Sequence, residues 1–219
     1  MQRAALSVAV AFLVLGPRPL RAQEARTYTV AVFAPDLSFG DAIGAASYAD
    51  RIAAAVSSRS GLPVKGVAFA RSGDLSARAK AGKVDFAVVG GAFAAVSGLG
   101  KTVTHGQGSA RLVLVTRGGG SLASLRGKRL ILPQPSKAYE KYVTAAALAH
   151  QIQAKDFFQI STTKNVQSAL TAVKLGQADV TVALEPYARD AGLSVIHATS
   201  AGPMPVVLQV NDSLDPEIA

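Results

Sequence analysis

From residue 28 onward the chain alternates short apolar runs with amphipathic stretches. Tyr28 to Phe33 (Tyr-Thr-Val-Ala-Val-Phe) is β-prone. Asp41 to Ser60 carries Ile43, Ala46, Ala49, Ile52 and Val56 at helical spacing, which predicts a helix with that apolar face. Gly61 and Pro63 stop it. Val64 to Phe69 is a second strand, a short helix opens at Ser72-Gly73-Asp74 and closes at Gly82, and Asp85 to Val89 is a third strand. This β-α-β-α-β order predicts an α/β protein with a mainly parallel sheet flanked by helices.

A second alternating set follows. Strands are predicted at Ala110–Thr116, Arg129–Leu132, Phe157–Ser161, Asp179–Leu184, Leu193–Ala198 and Val206–Val210. Helices are predicted at Lys137–Gln151 and Asn165–Leu175, with a short one near Tyr187–Asp190. Arg117-Gly118-Gly119-Gly120-Ser121 has the composition of a loop where the chain changes lobe. Asp215-Pro216-Glu217 reads as the opening of a further helix. The two halves echo each other. Leu75 to Val89 and Leu170 to Ala183 each run helix, glycine stop, two residues, aspartate, apolar strand. Two similarly built lobes are expected, one from 27–116 with 204–219 and the other from 117–203. Strands near Ala110–Thr116 and Val206–Val210 cross between them as a hinge.

Residues 1–22 read as a cleavable signal peptide: Arg3, an apolar run from Ala4 to Leu15, a break at Gly16-Pro17, and Leu20-Arg21-Ala22 before Gln23. The apolar run is short for a membrane span. Removing Arg3, Arg18 and Arg21 with it lowers the net charge from +9 to +6. A basic exported chain suits an anionic ligand, or simply solubility. The sequence contains no cysteine, which excludes disulfides, thiolate catalysis and Cys-based zinc sites. Trp is absent and aromatics make up 6%, and the basic residues are scattered, so a nucleic-acid surface is not expected.

Ala95 to Thr102 fits a relaxed phosphate-loop pattern, but the polar Val103–Ser109 stretch that follows does not read as the helix such a loop requires. His105, His150 and His197 lack metal-ligand spacing, and His150 reads as a C-terminal helix partner. No Gly-x-Ser-x-Gly elbow occurs. No catalytic set, metal or cofactor is expected. The stronger signals lie at the strand-to-helix junctions, where an open α/β sheet places its ligands. These junctions nominate Asp36, Ser72, Gly91, Phe93, Ser136, Lys137, Thr162, Thr163 and Glu185 as ligand-binding candidates. Glu185 is read either as a partner for a ligand amine or as a cap of the helix opened by Pro186. Lys164, beside Thr163, is a further source of positive charge.

Several segments carry a resemblance: Tyr28–Phe33, Gly61-Leu-Pro-Val64, Ala81-Gly-Lys-Val-Asp-Phe-Ala-Val-Val-Gly90, Ser121-Leu-Ala-Ser-Leu-Arg-Gly-Lys-Arg-Leu130 and Ala169 to Val180. Together they resemble the phosphonate-type periplasmic solute-binding proteins. The resemblance implies a two-lobed type II periplasmic-binding fold with two hinge-crossing strands. It also implies capture of a small anion or zwitterion between the lobes and delivery to an ABC permease, the protein's only link to a membrane. A monomer is expected. In the second-lobe loop, Pro135-Ser136-Lys137-Ala138-Tyr139 keeps Ser136 and adds Tyr139 to the candidates. Where the family carries Gly-Pro and a pocket tyrosine, this chain has Gly90-Gly91-Ala92-Phe93-Ala94; where it often carries Ser-His, this chain has Lys164-Asn165-Val166. The same fold without transport, as a sensor or partner-presenting module, is the alternative.

If the leader is cleaved as read, N-terminal sequencing of the exported protein begins near Gln23; an exported product beginning at Met1 would exclude that site.

Overall fold

The computed structural model describes residues 26–37, 39, 41–106, 111–198 and 204–214. The leader at 1–22 and the helix opening read at 215–217 lie outside the described residues. The chain forms two five-stranded sheets. The first takes β1 (Tyr28–Phe33), β2 (Val64–Ala68), β3 (Phe86–Val89), β4 (Lys101–His105) and β10 (Val206–Gln209), in the order β2-β1-β3-β10-β4. The second takes β5 (Leu112–Thr116), β6 (Arg129–Pro133), β7 (Gln159–Thr163), β8 (Val180–Leu184) and β9 (Ser194–Ala198), in the order β7-β6-β8-β5-β9. In each, the first three strands pair in parallel, and the fourth runs antiparallel to both of its neighbours, so that four strands share one direction. The orders superpose position for position, so β10 and β5 hold the same place in their sheets. We call the unit around the first sheet lobe 1 and that around the second lobe 2.

Helices α1 (Ala42–Ser60), α2 (Ser72–Lys80) and α3 (Gly91–Ser97) belong to lobe 1. Helices α4 (Ser136–Tyr142), α5 (Ala154–Phe157), α6 (Val166–Lys174) and α7 (Glu185–Asp190) belong to lobe 2. The sequence division after residue 116 needs correcting. Leu112–Thr116 is fully buried and pairs with β8 and β9, so it lies inside the second sheet. The chain passes between sheets after His105 and again after Ala198. The strands that follow these passages, β5 and β10, each run antiparallel to the parallel set they join.

Three further expectations shift. The α1 face that meets the sheet is centred on Ala49 and Ala53, whereas Ile43 is 75% and Val56 42% exposed. The cause is close approach: Gly66 of β2 lies against the Ala49 carbonyl, where any Cβ would overlap it. Only small residues fit at that crossing. The helix predicted over 137–151 is α4 followed by a π-helical turn, Val143–Ala147, and it ends where Ala149 and His150 adopt positive φ of 48° and 59°. His150 therefore sits in a left-handed turn. Phe157 and Phe158 are core residues before β7, which moves that strand two residues along. Lys101, in the phosphate-loop pattern, opens strand β4 and faces Asp212 at 3.5 Å. Among the described residues no helix is long and apolar enough to cross a membrane.

The repeated helix–Gly–x–x–Asp–strand unit has a physical reason. Gly82 and Gly176 end α2 and α6 with φ of 65° and 72°, in the left-handed region. The aspartate three residues on then latches the neighbouring strand. Asp85 accepts from the Thr29 N–H at 2.8 Å, and its own N–H donates to the Thr29 carbonyl at 3.0 Å. Asp179 does the same to Arg129, at 2.9 Å in both directions. Each also holds an arginine, Arg26 and Arg129 respectively. The Asp179 carboxyl is held down to about 2, first by the Arg129 side chain and then by its backbone N–H.

Asp85 is buried and also accepts from the Asn211 side chain at 3.0 Å, whereas a third of the Asp179 side chain is exposed. Asp85→Ala is expected to cost about 2–3 kcal/mol and Asp179→Ala about 1 kcal/mol. Urea denaturation of the two variants checks the order; equal losses would contradict it.

Candidate functional site

The two lobes face each other across the C-terminal ends of their parallel strands. Three consecutive residues after β1 make the crossing. The Pro35 carbonyl accepts from the Val166 N–H of α6 at 2.8 Å. Leu37 packs onto the apolar core of lobe 2. Asp36, between them, is near enough to Tyr139 of α4 for the phenol to feel its charge. Beside this, α3 lies on α4, and Ala92 joins the cluster that contains Ala138 and Tyr139.

Asp36 is 5% exposed, and its Oδ1 has no hydrogen-bond partner among the described residues. Its carboxylate occupies the space over Gly90, where a Cβ would overlap both oxygens. Gly90 has an ordinary φ of −61°, so glycine is required there by volume and not by backbone conformation. Burial pushes the Asp36 carboxyl up to about 6, against a smaller opposing effect from its own backbone N–H. Burial also raises the Tyr139 phenol well above its usual value, and the Asp36 charge adds to the rise.

Next to this seam lies a cleft of ≈ 370 Å³. Its lobe 1 wall is largely apolar, built from Val32 to Pro35, Phe39, Ala45 and Phe69. Its lobe 2 wall is polar: Lys164, Asn165, Gln167 and Ser168 at the start of α6. The Asn165 side chain caps α6 by accepting from the Ser168 N–H at 2.9 Å. Asp41, at the rim, caps α1 by accepting from the Gly44 N–H at 2.8 Å.

The sequence candidates divide accordingly. Asp36, Gly91, Ser136, Lys137 and Tyr139 are on the elements that meet at the α3–α4 seam, where Ser136 is half-buried and Lys137 exposed. Phe93 is in α3 but turns into lobe 1. It is 5% exposed and meets Phe33 edge-on at 4.9 Å between centroids, so it serves the core and is no pocket aromatic. Thr162 and Thr163 end β7 just before Lys164, without lining the cleft. Ser72 opens α2 and also stands off the cleft.

Glu185 needs correcting on its capping reading. It accepts two hydrogen bonds from Arg111, at 2.7 and 2.8 Å, and one from Arg189 at 2.6 Å. These arginines hold its carboxyl down to about 2. It makes no side-chain cap, because Leu184 is the N-cap of α7. Sequence reasoning missed Phe39, Asp41, Asn165, Gln167 and Ser168. For two of them an N-cap signal was present, since Asp41 and Asn165 stand directly before apolar-periodic helices.

A model of the periplasmic substrate-binding proteins of phosphonate ABC transporters matches residues 45–219. The chain belongs to that family, whose members are substrate-binding components of ABC transporters that work in the periplasm. Solved structures agree on the fold. The binding protein component of an ABC phosphonate transporter from Pseudomonas aeruginosa is similar at 17% identity and a TM-score of 0.63, over 89% of this chain and 71% of that one. PhnD1 from Prochlorococcus marinus, in complex with methylphosphonate, is similar at 12% identity and 0.64, over 85% and 77%. The alkanesulfonate-binding protein SsuA from Xanthomonas axonopodis pv. citri, bound to MOPS, is similar at 15% identity and 0.59, over 84% and 65%. No match was found among curated protein sequences. The fold is thus the type II periplasmic-binding fold.

Gly90→Ala must expel the Asp36 carboxylate from its place, and an expected loss of about 1–3 kcal/mol follows. Asp36→Gly vacates that space, so the double variant should lose less than the sum of the singles. A double-mutant cycle by urea denaturation checks this, and strict additivity would deny the contact.

Proposed function

We propose that this protein captures a small organic anion, of the phosphonate or sulfonate class, between its lobes and presents it to an ABC permease. The solute is held by closure of the lobes, with no covalent chemistry. The observation that carries this reading is the asymmetry of the interlobe cleft. One wall is apolar (Phe39, Phe69, Ala45), and the facing wall offers Lys164, Asn165 and Ser168. A solute with a short apolar tail and an anionic head matches both walls at once. Inorganic phosphate matches only one, and a neutral sugar leaves the apolar wall and the lysine unused.

Electrostatics support the same orientation. Lys164 is exposed and stands at the N-terminal end of α6, where the helix dipole also favours negative charge. Asp41 is a carboxylate on the lobe 1 rim and repels an anion there. The head group is therefore directed to lobe 2 and the tail to lobe 1. Binding energy gained only when both walls are in contact shifts the lobes to the closed arrangement. Asp36, Gly91, Ser136 and Tyr139 form the seam that closes beside the solute. The matching family and the anionic ligands of PhnD1 and SsuA are consistent with this class of solute.

Calorimetry with ethylphosphonate, ethanesulfonate, inorganic phosphate and maltose tests the proposal. The two organic anions should bind, and more tightly than inorganic phosphate. Binding confined to maltose would overturn it. Lys164→Ala should weaken the organic anions by about fivefold, which corresponds to about 1 kcal/mol.

A further inference from the structure

We infer that Asp36 couples proton uptake to closure of the lobes: its carboxyl is neutral while the seam covers it and ionised when the lobes part. The inference rests on the lobe closure proposed above and adds a second ligand, the proton, to it. Its starting point is an unmet need. Oδ1 of Asp36 is buried without a partner, and a buried ionised carboxylate without partners is costly.

What covers Asp36 comes from both lobes. Gly90, at the β3–α3 junction, lies beneath it in lobe 1. Tyr139 of α4, buried in lobe 2, is near enough for its phenol to feel the Asp36 charge. Its chain neighbours bind lobe 2 directly, Pro35 through the Val166 N–H and Leu37 through the apolar core. Parting the lobes breaks both of these flanking contacts and, on this inference, opens Asp36 to water. The titratable group that feels its charge is Tyr139, whose raised phenol holds its proton across the physiological range. The α3 side supplies Gly90, Gly91 and Ala92, with no charge to offset a carboxylate. Lys164 and Asp41 are the charged residues lining the adjoining cleft, and neither hydrogen-bonds Asp36 Oδ1.

The sign follows from where the proton is bound. In the closed protein burial raises the carboxyl to about 6, from the ordinary 3.8 it regains once hydrated. Protons thus favour closure. The gain is complete below the open-state value and fades as pH rises through about 6; above that, closure buries a charge. The closed-to-open ratio should rise about tenfold between pH 7 and pH 5.

Small-angle scattering at pH 7 and pH 5, with and without saturating methylphosphonate, reads the lobe separation. The wild-type protein should become more compact at pH 5 without methylphosphonate. Asp36→Asn, neutral and isosteric, should be equally compact at both pH values. A wild-type protein that methylphosphonate compacts but pH does not would overturn the proton coupling and leave solute closure standing. Compaction by pH alone would support the coupling and count against methylphosphonate as a solute. Indifference to both would overturn both. Asp36→Asn that keeps the wild-type pH profile would also overturn the coupling. Carboxyl-carbon NMR of the wild-type protein provides a readout that needs no variant. A carboxyl titrating near 6 supports the inference, and its absence, with every carboxyl titrating below about 5, overturns it.

Discussion

The carboxylate of Asp36 stands where a side chain at position 90 would otherwise be, and the two lobes meet through the residues on either side of it. An acid set this deep loses its water, and nothing on lobe 1 replaces it at Oδ1. Its position is fixed on either side by contacts it does not make itself, the Pro35 carbonyl on α6 and Leu37 on the lobe 2 core. Move Asp36 outward and both neighbours move with it. The hydrogen bond to Val166 and the apolar contact are then lost together. A glycine chosen for its volume thereby sets how closely α3 can lie on α4.

Much of the fold was legible because it is written locally. Gly82 and Gly176 stop their helices by adopting a conformation that glycine alone takes easily, and three residues later Asp85 and Asp179 stand directly before strands. That spacing announced two like units before any pairing was known. What the sequence hid was non-local. Leu112–Thr116 is an apolar run that suits either sheet; its partners, Val180–Leu184 and Ser194–Ala198, come later in the chain. Lys101–His105 gave no signal at all, because every residue of that edge strand is exposed and no alternation marks it.

The site was legible in outline and not in membership. Junction residues such as Asp36, Ser136 and Tyr139 did gather at the seam between lobes, since strand ends in this architecture converge there. Phe93 was misassigned because an aromatic after a strand looks the same whether it turns to a cleft or, as here, onto Phe33. The arginine partner of Glu185 was hidden because Arg111 lies 74 residues away and arrives only through the β5–β8 pairing. Asp41 and Asn165 cap their helices, and their second property, lining the cleft, depends on the other lobe.

The interchange of strands between the sheets gives the two lobes unequal folding histories. Lobe 2 is built from one uninterrupted stretch, β5 to β9, so all its pairings can form as soon as that stretch is available. The first sheet waits for β10, because Val206 must find Val89 across the whole of lobe 2. Closing so long a loop is entropically cheaper once the intervening chain has already collapsed into a compact body. A polypeptide emerging from its N-terminus therefore holds an unfinished first sheet, with the edge of β3 unpaired, until its last strand appears. During that interval it is the half-built first lobe, and not the second, that offers a chaperone or an aggregating neighbour a place to bind.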